Sequence, residues 1–297
     1  MEMGKLKVLT VGDIHGREIW KDFIFGSIEK FEDWALECSS GDYVRPWEET
    51  LDLRFSDIDK VVFVGDYFDS FDVNNVIMKK NAEDLFLFKR CYPDRVEMLW
   101  GNHDVSYWYK EEACSGFRGE MYVDFHEILY ANKDNLKVAF QIGNVLWSHA
   151  GVTDSFYKKL MLKEWNDDVK EHERWVSLGD ETHEKPDLSR YTIANFLNFK
   201  WYEKWRPLFN VGKRRGGFDL IPGPLWADQA ELQNDMLNGV FQFVGHTPVP
   251  YVKGTYDANH GVCFLDCLER GNSKGVVVVE IQDDKYVNYQ VIEETKI

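Results

Sequence analysis

Acidic, amide and imidazole side chains recur in this chain in five short groups, each set directly after an apolar run. They are Gly12-Asp13-Ile14-His15-Gly16, Gly65-Asp66-Tyr67-Phe68-Asp69, Gly101-Asn102-His103-Asp104, Ser148-His149-Ala150-Gly151 and Gly245-His246-Thr247-Pro248. An acid placed where a buried strand emerges is costly unless something neutralises it. Any one group has an ordinary reading: Asp66 could cap the next segment, and a lone His149 could be a hydrogen-bonded structural residue. Five in succession, each behind an apolar run, point to a shared site. Asp13 and His15 are two apart in an extended segment, so both can point to one face. Imidazole with carboxylate suits Mn, Fe, Zn or Co, and the lack of thiolates argues against structural zinc. A carboxylate can bridge ions about 3.5–4 Å apart, the spacing at which two metals clamp an in-line displacement.

Hydrophobic periodicity outlines the elements that must position these groups. Leu6–Val11 is expected as a strand ending in the first group, and residues 18 to about 37 as an amphipathic helix with Trp20, Phe23, Ile24, Ile28, Phe31 and Ala35 at helical spacing. The polar stretch 39–59 reads as a loop. Residues 61–64 form a short, continuously apolar run, the mark of a strand buried on both faces, and it delivers Asp66. A helix is expected over roughly 73–90, stopping before Pro93, then a strand at 96–100 and helical sequence from about 105 to 130, broken near Ser115-Gly116. Residues 137–142 and 144–147 look like a hairpin running into Ser148-His149. From 153 to about 225 the periodicity is helical, with Trp165, Trp175, Trp201 and Trp205 concentrated there. Strands follow at 240–244, 261–267, 275–281 and 286–292. Strand–helix alternation, then strands in succession, predicts a mixed α/β fold with two packed sheets and polar residues at the C-terminal strand ends. One domain is expected over 1–297, with a helical, Trp-rich insertion at about 154–226 that has its own small core, the alternative being an aromatic cleft that grips the substrate.

The formal net charge of −16 argues against tight binding along long nucleic acid, which needs a basic stripe, but says little about a small phosphate at a metal. Cys38, Cys91, Cys114, Cys263 and Cys267 lack disulfide or zinc spacing and are expected as reduced, mostly buried thiols of a cytoplasmic protein. No signal peptide or bilayer-spanning apolar run is read from the chain, so no membrane partner is expected. His126, His172, His183 and His260 lie outside the five groups and are expected in surface or structural roles.

As a set, the five groups resemble those of the calcineurin-like metallophosphoesterases, and most closely the serine/threonine phosphoprotein phosphatase branch in its bacterial and phage form. The resemblance implies a four-layer β-sandwich, two mixed sheets flanked by helices, with two divalent ions at the strand ends. Manganese is the first choice, with Fe, Zn, Co or Ni as alternatives. By motif, Asp13 and His15 would hold the first metal, Asp66 would bridge both, and Asn102, His149 and His246 would complete the second metal's shell. His103, paired with Asp69, would be the general acid. Charge supports this: Asp13 and Asp66 supply two negative charges against about four positive charges from two divalent ions. Asn102 is neutral, so the site stays locally positive, which lowers the pKa of a bridging water and draws in a phosphate dianion. A carboxylate partner favours the imidazolium, so His103 would protonate the leaving oxygen. The implied reaction is direct attack of metal-bound hydroxide on a phosphomonoester, without a covalent phosphoenzyme. It would act on a phosphorylated protein or small phosphoester, in the cytoplasm (the host's, for a phage gene).

The branch usually carries GDxVDRG and an Arg before GNHE; here Ser70 and Phe71 follow Asp69, Trp100 precedes the third group, and Asp104 replaces Glu. Those arginines grip phosphate oxygens bidentately, which Ser and Trp cannot do. Lys213-Arg214-Arg215 precedes Gly223-Pro224-Leu225-Trp226-Ala227-Asp228, which resembles the branch's LLWSD segment. Arg214 or Arg215 is therefore the candidate phosphate-binding residue, with a solvated basic turn as the alternative. A serine/threonine protein phosphatase is the leading expectation. Its rival uses the same site on a nucleotide: a dinucleoside polyphosphate, a cyclic phosphate or a nucleic-acid end, with an aromatic side chain stacking the base. A scaffold without catalysis is disfavoured, because every ligand position and the Asp69–His103 pair are present.

Overall fold

Val8 and Thr10 face one side of the first strand, β1 (Leu6–Val11), and Leu9 and Val11 the other; all four are buried, so the strand needs a layer against each face. On one side Val8 joins Val62, Val64, Leu99, Trp147, Phe243 and Val277 in an apolar layer between two sheets. On the other, Leu9 and Val11 pack with Trp20, Phe23, Phe63 and Phe86 beneath helices. The computed structural model describes residues 4–39, 44–109, 114–177 and 192–293, with the backbone alone at 171–173, 175 and 176. His183 and the side chains of His172 and Trp175 therefore lie outside the described residues.

The remaining strands are β2 (Lys60–Phe63), β3 (Val96–Leu99), β4 (Leu136–Lys137), β5 (Ala139–Ile142), β6 (Val145–Ser148), β7 (Phe241–Val244), β8 (Lys253–Tyr256), β9 (Gly261–Phe264), β10 (Gly275–Gln282) and β11 (Lys285–Glu293). One sheet runs β11-β10-β1-β2-β3-β4 and the other β5-β6-β7-β9-β8. β1 to β4 are parallel, with β10 and β11 antiparallel at one edge. β6, β7 and β9 are parallel, and antiparallel β5 and β8 close the second sheet.

The helices are α1 (Ile19–Phe25), α2 (Ile28–Ser39), α3 (Trp47–Thr50), α4 (Asn75–Cys91), α5 (Asn102–Tyr109), α6 (Tyr122–Ala131), α7 (Asp154–Phe156), α8 (Leu162–Ser177), α9 (Ile193–Tyr202) and α10 (Gln229–Asn234). The first six cover the outer face of the six-stranded sheet, while Leu232 of α10 packs with Val244, Val262 and Phe264 on the outer face of the other. Two mixed sheets flanked by helices are thus the architecture, as the motif order implied.

Several expected bounds change. The helix expected over 18–37 is two helices, because Gly26 closes α1 in a left-handed conformation (φ 86°) and its amide returns to the Asp22 carbonyl. The expected loop 39–59 holds α3 and a 3-10 turn, Leu53–Phe55, anchored by buried Trp47, Leu51, Phe55 and Ile58. Beyond Tyr202 the helical periodicity is not realised: residues 203–228 contain only the 3-10 turns Arg206–Phe209 and Lys213–Arg215. The aromatic residues of 154–226 join the main core rather than a small core of their own, Phe156, Phe196 and Trp201 lying in the cluster that holds Leu9 and Val11, with Trp201 stacking on Trp100 at 4.8 Å and Trp165 on Phe196 at 6.0 Å. Beside them Lys200 is buried against Glu164, Asp168 and Glu203 at 3.0, 3.0 and 2.8 Å. β8 is an addition to the expected strands, since a short exposed edge strand carries no apolar alternation. The strand expected at 261–267 ends at Phe264, and all five cysteines are free thiols.

Trp147 donates its indole N–H to Thr10 Oγ1 (2.9 Å), a buried bond between the two sheets. Thr10→Val leaves that N–H unpaired and is expected to lower stability by about 1–3 kcal/mol. Urea unfolding measures it; an unchanged midpoint would show that the bond is not what joins the sheets.

Candidate metal centre

Asp13, His15 and Asp66 offer donor atoms that all lie within 4.8 Å of one another. Around Asp66 Oδ2 stand three imidazole nitrogens: Nε2 of His149 at 3.4 Å, of His15 at 3.9 Å and of His103 at 4.0 Å. Asn102 Oδ1 lies 2.8 Å from both His149 Nε2 and His246 Nδ1. The structure thus brings Asp13, His15, Asp66, Asn102, His149 and His246 together from strand ends far apart in the chain, every one of them buried.

Backbone contacts hold the strand ends in this register. The Asp66 carbonyl accepts the N–H groups of Ile14 (3.2 Å) and His15 (2.8 Å), joining β1 to β2. Asp13 Oδ2 accepts the His246 N–H at 2.7 Å, joining β1 to β7. Gly245 is required beside it, because a Cβ there would sit 1.7 Å from Asp13 Oδ1. The Asp104 carboxylate accepts three backbone N–H groups, from Asp66 (2.9 Å), Tyr67 (2.8 Å) and Gly101 (2.8 Å), so it ties the end of β2 to the end of β3. These bonds keep His15, Asp66, Asp69 and His246 at φ 47°, 55°, 63° and 66°, left-handed conformations that cost non-glycine residues of order 1–3 kcal/mol each. His15 Nδ1 is 3.0 Å from the Phe68 carbonyl and His149 Nδ1 is 2.9 Å from that of Val64, which turns both Nε2 atoms inward.

The donor chemistry fits divalent cations. Asp13 Oδ1 and His246 Nε2 are buried without a hydrogen-bond partner. Burial, together with the charges of Asp266 and Asp66, pushes the Asp13 carboxyl well above its usual range. Burial also works to raise Asp66, but His149, His103 and His15 outweigh it and hold that carboxyl below the usual range. Burial, aided by His149 and Arg215, keeps His246 neutral, with a lone pair free to ligate. Crowded carboxylates, an unpaired acceptor and neutral imidazole in a thiolate-free donor set form an environment that a cation relieves.

His103 and Asp69 stand beside this centre. His103 Nδ1 is 2.9 Å from Asp69 Oδ2, and the Tyr107 hydroxyl donates to Asp69 Oδ1. Burial lowers the His103 pKa, but Asp66 and Asp69 more than reverse it and raise it to about 9. Of the two candidate arginines, Arg215 lines a cleft beside Asn102 and donates through Nη2 to the His246 carbonyl (3.2 Å) and Thr247 Oγ1 (2.6 Å). Its Nε is 3.2 Å from Asp228 Oδ2. Arg214 is exposed and does not line that cleft. His126 bonds the Tyr107 carbonyl at 3.0 Å, and His260 lies 3.3 Å from Asp257.

Sequence reasoning missed three groups. Asp104 registered only as a replacement for Glu, although its burial beside Asp66 raises its pKa to about 7. Tyr107 lies one helical turn beyond His103, a signal available from spacing. Asp266 follows the apolar run of β9 and is buried among the same carboxylates, its pKa raised to about 6 by burial, with His15 opposing.

The profile of the calcineurin-like phosphoesterase family matches residues 6–272. Among solved structures, the chain is similar to a cold-active protein-tyrosine phosphatase of a psychrophilic Shewanella species, at 18% identity over 98% of this chain and 81% of that one, with a TM-score of 0.46. It is similar also to a protein serine/threonine phosphatase from Saccharomyces cerevisiae, at 15% identity over 98% and 81%, with a TM-score of 0.45. No match was found among curated proteins. The profile match spans most of the chain, which therefore belongs to the calcineurin-like phosphoesterase family.

Proposed function

We propose that this protein is a phosphomonoesterase dependent on two divalent metal ions, Mn2+ first among them, held by Asp13, His15, Asp66, Asn102, His149 and His246. The observation that carries the reading is the gathering of these side chains around Asp66, with the Asp13 Oδ1 acceptor left unpaired. Bound ions would polarise a phosphoryl group and lower the pKa of water. Asp66, with imidazoles on several sides, is the carboxylate placed to be shared between them. His103 is protonated at neutral pH and turns Nε2 toward the centre, while Asp69 fixes its ring and Tyr107 fixes Asp69. That arrangement suits proton donation to a leaving oxygen. Arg215 supplies a guanidinium edge near His246 for a phosphate oxygen.

Phosphoserine or phosphothreonine in a protein is the leading substrate in this proposal. A nucleotide phosphoester is the second reading, favoured by Tyr109, Phe209 and Trp226 along the cleft beside Asn102. Free thiols at all five cysteines support a reducing, cytoplasmic setting. Among the described residues, no helix is long and apolar enough to cross a membrane.

Chelation is expected to abolish hydrolysis of 4-nitrophenyl phosphate, with Mn2+ restoring it and elemental analysis finding about two ions per chain. Full activity in metal-free protein would overturn the proposal. His103→Asn is expected to slow alkyl phosphates by about 100-fold or more and 4-nitrophenyl phosphate far less, because a good leaving group needs no proton. Equal losses would remove His103 as the proton donor.

A further inference from the structure

The cleft beside the metal centre has a volume of about 590 Å³ and follows one face of α5, with Asn102, Val105, Ser106 and Tyr109 on its wall. Asn102 opens that helix and Tyr109 closes it, so the cleft reaches roughly 10 Å from the centre at the 1.5 Å rise of an α-helix. Tyr109 and Phe209 make its far part apolar, their rings 5.6 Å apart edge to face. Beside them the exposed Lys204 also lines the cleft, its Nζ 5.5 Å from the centre of the Tyr109 ring.

Lys204 is held there at a cost. α9 ends in a reciprocal pair of bonds, Trp205 N–H to the Lys200 carbonyl and Lys204 N–H to the Trp201 carbonyl, both 3.0 Å. The residue between such bonds adopts a left-handed conformation and is usually glycine; here it is Lys204, at φ 53°. The cleft's other cations are engaged, Arg206 with Asn210 (3.1 Å) and Asp219 (3.6 Å), and Arg215 with Asp228. Among the described residues Lys204 has no carboxylate partner. A strained backbone that places an exposed cation against an aromatic wall of the cleft, with no carboxylate partner among the described residues, points to a ligand's charge.

Resting on the phosphomonoesterase reading but departing from its phosphoserine branch, we propose that this cleft receives the leaving group, and that Lys204 selects phosphomonoesters in which a planar ring is followed by a second anionic group. The ring lies along Tyr109 and Phe209, and the distal anion meets the ammonium. A phosphorylated peptide side chain without such a group leaves the lysine unused.

The test compares 4-carboxyphenyl phosphate with 4-carbamoylphenyl phosphate, which are alike in size and differ in the distal charge. Wild type with Mn2+ is expected to favour the carboxylate by about tenfold in kcat/KM, mainly through KM and diminishing with salt. Lys204→Gly is expected to bring that ratio close to one and, by relieving the left-handed strain, to raise Tm by about 2 °C. Lys204→Arg is expected to keep the preference. A wild-type ratio near one, a ratio that survives Lys204→Gly, or a phosphoserine peptide preferred over both aryl phosphates would overturn the inference while leaving the phosphomonoesterase reading in place. A lower Tm in Lys204→Gly would assign the lysine to packing and overturn it equally. Failure of wild type to hydrolyse any of the three substrates would overturn both.

Discussion

A carboxylate buried at the end of β2, ringed by imidazoles, is the constraint to which the surrounding structure answers. Asp66 is 2% exposed, and its charge is tolerable only because His149, His15 and His103 converge on it. Its backbone is tied down no less than its side chain: the carbonyl receives the strand end of β1, and the N–H is taken by Asp104 from the start of α5. A residue fixed at both levels, in a left-handed conformation, leaves little freedom in where neighbouring strands finish. The geometry of the centre is therefore a property of sheet register more than of any loop.

The same logic links the centre to the part of the chain that looks most remote from it. α5 begins with a candidate ligand, Asn102, and ends at Tyr109, which packs against Trp201 of α9 at 5.4 Å. Trp100, immediately before the third group, is buried and stacks on Trp201 as well. Where the phosphoprotein phosphatases favour an arginine, this chain places an indole that anchors the segment after β6. Ser70 likewise turns its hydroxyl to Asp72. The positions that depart from the branch pattern are thus occupied by packing and local hydrogen bonds, and cationic groups near the centre come from elsewhere in the chain.

The layered fold and the gathering of strand ends are legible in the sequence because burial on both faces leaves a distinct trace, a short, mostly apolar run cut off by glycine or serine and then a polar group. Asp13, Asp66, Asn102, His149 and His246 all carry that trace. What could not be read depends on contacts without a periodic signature. Asp104 accepts backbone N–H groups from three residues, two of them nearly forty positions away, and nothing in its neighbourhood announces this. Arg214 and Arg215 are indistinguishable as neighbours in sequence; a 3-10 turn sends one to solvent and the other to His246. The helical pattern extends too far past Tyr202 because aromatic residues packed from irregular chain mimic a helical stripe. Between 39 and 59 the error runs the other way, with sparse anchors such as Trp47 and Phe55 hidden in polar sequence.

β1 is flanked by β2 on one side and on the other by β10, which comes almost the whole described chain later. During synthesis β1 must wait, one edge open, until the hairpin of β10 and β11 emerges. His246 and its strand are already made by then, so the nascent chain holds every metal-ligand candidate before its central sheet is complete. Such an open edge invites pairing with other chains. A premature stop between β9 and β10 would accordingly yield a sticky, aggregation-prone fragment rather than a trimmed enzyme.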